Sequence, residues 1–442
     1  MATRYPRGRF FQGHVAEDTP ALLAGREGDS GVTAPTWITL IVPPALVAAA
    51  YYEAESLLLW LAIAVLGAAL ISWKESTHMR LLDWGMLLVL LCEIPSLATS
   101  RYPANGVSFT KTVCVGVLFY FLVRLTTRAA RHALAGCLLV AAGGVVLAWF
   151  AFSHFTDQVH AIEDAGLWHF GIVAFRARLI MPPLPWVVGE WFTLVLLTLP
   201  FAAAAAFFSS YWPKIPAAAS VLTALSIAAA LLLSCSRAVF WSLLVFLAVA
   251  LGTAATYRAI RIRAALIAFA ATLCSLALVL FAENAAYPGI AEAYTGRHTS
   301  QVRSTGGRLA IWKRSADVFA LAPLWGVGSG NAPLFLAANA DEDQTTGFVS
   351  RTFSLPVQVL TEKGIVGTVL YLGVLVLAGW EAHRKLLNPN VSPQLKGMTC
   401  CFVAGVAAVL FRELTYASLL AHMATAMLFT MSLALLAAEE ST

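Results

Sequence analysis

Residues 216–256 read PAAASVLTALSIAAALLLSCSRAVFWSLLVFLAVALGTAAT, and the only charge among them is Arg237. A helix that crosses a bilayer needs about 20 mainly apolar residues. This stretch has twice that, so it reads as two spans, 216–235 and 237–256, divided by Ser236–Arg237. A charge at mid-membrane costs roughly 2.5–3.5 kcal/mol on insertion scales. That cost places Arg237 at a membrane surface and the turn beside it.

The same pattern recurs along the chain. Further apolar runs lie near 36–52, 55–72, 82–99, 107–124, 132–153, 186–208, 264–283, 355–380, 397–412 and 415–437, which makes about twelve expected spans. The composition agrees. Of 442 residues, 59% are hydrophobic and 12% charged, against roughly 25% charged in a soluble domain. The mean hydropathy is +0.76. The expected fold class is an all-α integral membrane protein, and the partner it implies first is the lipid bilayer. The net charge of +5 is then a matter of where cations sit against the bilayer, and no nucleic-acid partner is implied. The seven cysteines fall in or at apolar stretches, without a CxxC or a metal-ligand spacing, so neither a metal nor a cofactor is expected.

Lys and Arg in short loops set orientation. With the N-terminus inside, the inner loops hold cations such as Arg4, Arg7, Arg9, Arg26, Arg124, Arg128, Arg131, Arg258, Arg261, Arg263, Arg384 and Lys385. The short outer turns hold only Arg101, Arg237 and Arg412. Both termini are therefore expected in the cytoplasm. Residues 1–34 form a polar N-terminal tail and 35–440 a polytopic membrane domain. Within it, 154–185 is an outer loop and 284–354 a large helical outer loop between the ninth and tenth spans.

That large loop contains the stretch GGRLAIWKR, residues 306–314, where cations are crowded. From Gly306 the pattern turns helical, with Leu309, Trp312, Ala316 and Phe319 on one apolar face. Gly306–Gly307 and Pro323 bound it. Arg308 and Trp312 stand one turn apart on the same side. The following Trp325-Gly-Val-Gly-Ser-Gly330 neither follows a strand nor opens a βαβ unit, so it is no dinucleotide fingerprint. It reads as a glycine-rich turn beside a pocket. Arg176 and Arg178, before the sixth span, and Arg412, beside Glu413 on a turn between the last two spans, add further cations at the same face. Asp83, Glu93 and Glu190 are the embedded carboxylates. Asp83 reads as a helix start. Glu93 and Glu190 lie near outer ends, each either a base or the partner of an arginine.

Arginines from four segments thus converge on one membrane face. A guanidinium fork suits phosphate bidentately, and a lipid-held diphosphate presents that target at headgroup depth. Cations clustered at one face favour chemistry over transit. A transporter or flippase for lipid-linked oligosaccharides, the rival reading, would spread them along a path.

Three stretches resemble a known superfamily, the bacterial O-antigen ligases and Wzy-type polysaccharide polymerases. They are Ser236–Arg237 opening a span; Arg308…Trp312…Pro323-Leu-Trp-Gly326-Val-Gly328, similar to an R-x-x-x-W…P-x-x-G-x-G block; and Leu355-Pro-Val-Gln-Val-Leu-Thr-Glu-Lys-Gly364-Ile-Val-Gly367, similar to an LQLLAELGLVG run. Ser96-Leu-Ala-Thr-Ser100 is a weaker match. One departure stands out. The histidine that ligases of this superfamily place eleven residues before the glycine of the third block is here Phe353, followed by Ser354. That leans the reading towards a polymerase.

The resemblance implies a GT-C-like membrane glycosyltransferase in the bacterial inner membrane, with its active site periplasmic. The donor would be a glycan on undecaprenyl diphosphate and the acceptor a sugar hydroxyl, on another lipid-linked repeat unit or, in a ligase, on lipid A–core or another surface acceptor. A chain-length regulator is a further implied partner. Arg176, Arg178, Arg237, Arg308 and Arg412 are the candidates for holding the diphosphate, in place of a divalent ion. Glu413, Glu190 and His298 are the candidate bases, and Trp312, Gly326, Gly328 and Ser354 the candidate pocket residues.

Overall fold

The computed structural model describes residues 79–126, 130–164, 188–207, 217–232, 236–257, 270, 273–282, 285, 299–338, 354–414, 419–420 and 423–437. The tail 1–34 and the first two expected spans lie outside these residues. Among the described residues every regular element is a helix: α1 Leu81–Ala98, α2 Pro103–Thr126, α3 Ala130–Asp164, α4 Val188–Phe207, α5 Ala217–Leu232, α6 Arg237–Thr256, α7 Leu273–Ala282, α8 Thr299–Leu321, α9 Ala332–Ala338, α10 Leu355–Leu387, α11 Pro393–Glu413 and α12 Met423–Ala437. Six of them are long and apolar enough to cross a membrane: α1, α2, α3, α6, α10 and α11. Four shorter apolar helices, α4, α5, α7 and α12, fall at the other expected spans. This is a multi-pass membrane protein.

The helices are greasy on their outer side. On α10 the exposed residues Val369, Leu372, Val376 and Trp380 recur at steps of three and four, with Val376 70% exposed. The opposite face buries Val374, Ala378 and Ala382. An apolar stripe turned away from the protein is the sign of a lipid-facing helix, because water would penalise it. The core runs through α11, which packs against α6, α4, α12 and α10, while α12 packs on α2 and α1 on α10. Small residues allow close approach there: Gly405 of α11 lies directly against the Pro200 ring of α4.

Charges cluster at one end of the bundle. Asp83 accepts from the Arg80 backbone N–H at 2.8 Å and from Tyr120 Oη at 2.7 Å, and it faces Arg124 at 3.9 Å. Asp83 therefore does start α1, as its position implied. Glu381 of α10 pairs with Arg80 at 3.5 Å and Arg384 at 3.0 Å.

Three elements differ from the sequence reading. First, α3 runs on through Asp164, past the expected span end at 153; residues 154–164 contain neither Gly nor Pro to stop it. Second, α8 begins at Thr299, so Gly306–Gly307 lie within the helix instead of bounding it. Its buried face is Ile311, Ser315 and Val318, whereas Leu309 is 67% exposed. Both stripes carry apolar residues, and contact with Val327 and Leu336 selects the one with Ile311 and Val318. Third, the expected span 355–380 is two helices joined at Gly364 (φ 65°, ψ −163°).

Candidate functional site

The break at Gly364 organises the other end of the bundle. In an unbroken helix the N–H groups of Ile365 and Val366 would bond to the carbonyls of Thr361 and Glu362, four residues back. Here the segment Pro323–Gly328 is inserted between them. Ile365 donates to Pro323 O at 2.9 Å and Val366 to Leu324 O at 3.2 Å. In return Val327 donates to Thr361 O at 3.0 Å and Gly328 to Glu362 O at 3.1 Å. Two bonds along the helix are exchanged for four across the joint, so the groups freed by the break at 361, 362, 365 and 366 are paired again in a membrane protein, where an unpaired one costs several kcal/mol. Two glycines make the fit possible. At Gly364 and Gly326 φ is positive, and a Cβ on either would overlap the backbone of the opposing segment.

Beneath the joint lies a buried polar cluster. Lys363, 1% exposed, donates to the Glu93 carboxylate of α1 and to Ser329 Oγ, and its ammonium also lies 5.0 Å from the centroid of the Phe109 ring. Glu93, 2% exposed, accepts in addition from Thr110 at 3.0 Å, Ser329 at 3.1 Å and Tyr371 at 3.2 Å. The Ser96 and Ser329 hydroxyls are 2.8 Å apart. Asn331 donates to Ser100 Oγ at 2.8 Å and to Val327 O at 3.0 Å. Next door, Glu362 accepts from the Ala332 N–H and from Gln358, both at 3.3 Å. A buried charge pair persists only when its remaining hydrogen-bonding capacity is met, and hydroxyls from three segments, Thr110, Ser329 and Tyr371, meet it here.

Tyr371 connects this cluster to an apolar cavity of about 300 Å³, lined by residues of α1, α2, α10, α11 and α12. Among the described residues Glu413 is the one carboxylate on its wall, which Leu355 and Pro356 also line. Glu413 accepts from the Leu419 N–H at 3.0 Å and pairs with Arg412 at 3.4 Å; Arg412 in turn donates to Thr193 of α4. Both members of the pair are buried.

Residues 219–372 match the family described as Wzy_C, O-Antigen ligase. That segment is about a third of the chain, and over it the chain is similar to the O-antigen ligases. The resemblance to that superfamily is thereby shown over a segment that runs from α5 to beyond the joint in α10. No curated protein matches the chain.

The matched segment contains the three stretches that carried the resemblance, and two of them meet at the joint. Gly326 and Gly328 are buried there, against Glu362 and Ser100; the weaker match at Ser96–Ser100 meets them from α1. Ser354 is the buried N-cap position of α10. Arg308 and Trp312 lie half-buried on α8, one turn apart. Arg237 is the first residue of α6, on the exposed side. It shares an end of the α6–α11 pair with Arg412, because Ala254 meets Cys400 towards the other end. Arg176, Arg178 and His298 lie outside the described residues, as does the side chain of Glu190.

Sequence reasoning named Glu93 and left it as either a base or the partner of an arginine; the structure pairs it with Lys363. It missed Lys363, Ser329, Thr110, Tyr371 and Asn331. One signal was present: Glu362–Lys363 interrupts an apolar run, as Arg237 does, and the same energetic argument applies to both.

Proposed function

We propose that this protein transfers a glycan from an undecaprenyl-diphosphate carrier to a sugar hydroxyl at the periplasmic face of the bacterial inner membrane, polymerising O-antigen or exopolysaccharide repeat units. The observation that carries this reading is the match of residues 219–372 to the O-antigen ligase family, which supports ligase- or polymerase-type glycosyl transfer. The apolar cavity beside Glu413 suits a lipid tail. The acceptor oxygen bonds to the anomeric carbon, the bond from that carbon to the diphosphate breaks, and the acceptor proton passes to a base. A single displacement inverts the anomeric centre. Negative charge grows on the departing diphosphate, and fixed guanidinium groups stabilise it most in the transition state. Arg237 and Arg308, with Arg176 or Arg178, are assigned that task. Arg412 is a weaker member, since its charge is met by Glu413 at 3.4 Å. Glu413, Glu190 and His298 remain the proposed bases. The twelve-span topology with both termini cytoplasmic belongs to the same reading, as does a chain-length regulator as partner.

Ligation to lipid A–core or another surface acceptor is the second reading, favoured by the family's own description and opposed by Phe353 at the histidine position. A deletion strain separates them. Single lipid-linked repeats accumulate if the protein is a polymerase, and long polymer accumulates on the carrier lipid if it is a ligase. Unchanged glycans on both would remove the proposal.

A further inference from the structure

Above the joint lies a second cavity, an open cleft of about 410 Å³ between the C-terminal end of α1 and the segment 321–335. Its wall includes Thr99, Arg101, Pro323, Trp325, Val327 and Phe335. The volume falls within the roughly 300–1,000 Å³ of small-ligand sites. From this cleft we infer that the protein holds the acceptor glycan there, through a sugar that bears a carboxylate or phosphate. The inference deepens the proposed transfer reaction and rests on it.

Four observations support the assignment. Trp325 is 41% exposed on the wall of the cleft, and an indole offers an apolar face with a polar edge. The C–H face of a pyranose ring packs on such a surface. Arg101 is exposed, and among the described residues it makes no ion pair or side-chain hydrogen bond. Among the described residues nothing takes up its five donors, which suit an anion. The floor is rigid: Pro323–Gly328 is pinned by four backbone bonds to both sides of the α10 joint, with the Lys363–Glu93 pair beneath it. A pre-organised wall avoids the ordering cost of binding. Finally, the cleft lies apart from the proposed diphosphate cation. α8 is continuous from Arg308 to Leu321 at the cleft, a separation of about 20 Å at 1.5 Å per residue. A diphosphate held at Arg308 is therefore not in the cleft. The donor is held at its reacting end by its own diphosphate, whereas an acceptor repeat is joined to its carrier at the end away from its reacting hydroxyl and needs a second holding point on a sugar.

The test uses the full chain in nanodiscs of a neutral lipid, with trigalacturonic acid and maltotriose as probes. Saturation-transfer NMR reads binding, and inhibition of transfer from lipid-linked repeats of the deletion strain reads function. Trigalacturonic acid is expected to bind and inhibit at least about tenfold more tightly than maltotriose, as the loss of a charge-assisted contact predicts. Arg101→Gln should abolish that preference, and Trp325→Ala should weaken both probes while Trp325→Phe restores them. Equal binding by wild type and all variants overturns the assignment. So does an Arg101→Gln effect seen only as weaker retention of phosphatidylglycerol, which would make the cleft a lipid contact. Binding without any transfer keeps the cleft and removes the transfer reaction; transfer without binding does the reverse.

Discussion

Removing the Lys363 ammonium tests whether the buried cluster holds the joint at Gly364 together. Lys363→Met keeps the length of the chain but leaves Glu93, 2% exposed, with three neutral donors at 3.0–3.2 Å and no counter-charge. Breaking a buried pair from one side costs about 3–5 kcal/mol. The contact with the Phe109 ring, at 5.0 Å, adds about 2 kcal/mol when desolvated. The two overlap, so about 4 kcal/mol is expected for this variant. Glu93→Gln leaves the opposite charge unpaired and should lose a similar amount. The double variant removes both charges yet keeps a carbonyl oxygen for the Thr110, Ser329 and Tyr371 hydroxyls. It should recover most of the loss, with a coupling of at least about 2 kcal/mol. Denaturant unfolding in mixed micelles, followed by helical circular dichroism, measures all three. If the double variant loses the sum of the two singles, or if Lys363→Met loses less than about 1 kcal/mol, the pair does not hold the joint and the reasoning fails.

Gly364→Ala should destabilise by at least about 2 kcal/mol, from strain at positive φ and overlap with Leu324, whereas Gly373→Ala, which meets open space on the same helix, should be silent in the same unfolding assay. Arg237→Lys and Arg308→Lys should insert normally and lose transfer by a hundredfold or more, since an ammonium cannot replace a bidentate fork; normal transfer by both would end the diphosphate-holding role. Single cysteines placed through 300–350 should react with an impermeant maleimide from the periplasmic side; labelling only after the membrane is opened would reverse the topology.

Much of the membrane architecture was legible because the bilayer imposes a simple length and polarity rule. Arg237 marked the start of α6 for that reason. The glycines and serines of the joint were legible as patterns, at Ser96–Ser100, Pro323–Gly328 and Glu362–Gly367, but not as a contact. A glycine inside an apolar run reads as a tolerated helix residue. Only the partners of Ile365 and Val366, some forty residues earlier in the chain, reveal that the helix is interrupted. The partner of Glu93 was hidden for a similar reason: Lys363 is 270 positions away, and no local periodicity reports a long-range charge pair. On α8 the periodicity was real, yet two adjacent stripes were both apolar, and packing chose between them.

A glycine with φ of 65° in the upper part of a long helix invites description as a hinge. The bonding at Gly364 argues the opposite. The short segment 355–363 cannot swing relative to the remainder of α10 unless all four bonds to 323–328 part together. Whatever rearrangement accompanies turnover must be accommodated in other parts of the chain, and the joint travels as one rigid piece with the cleft above it.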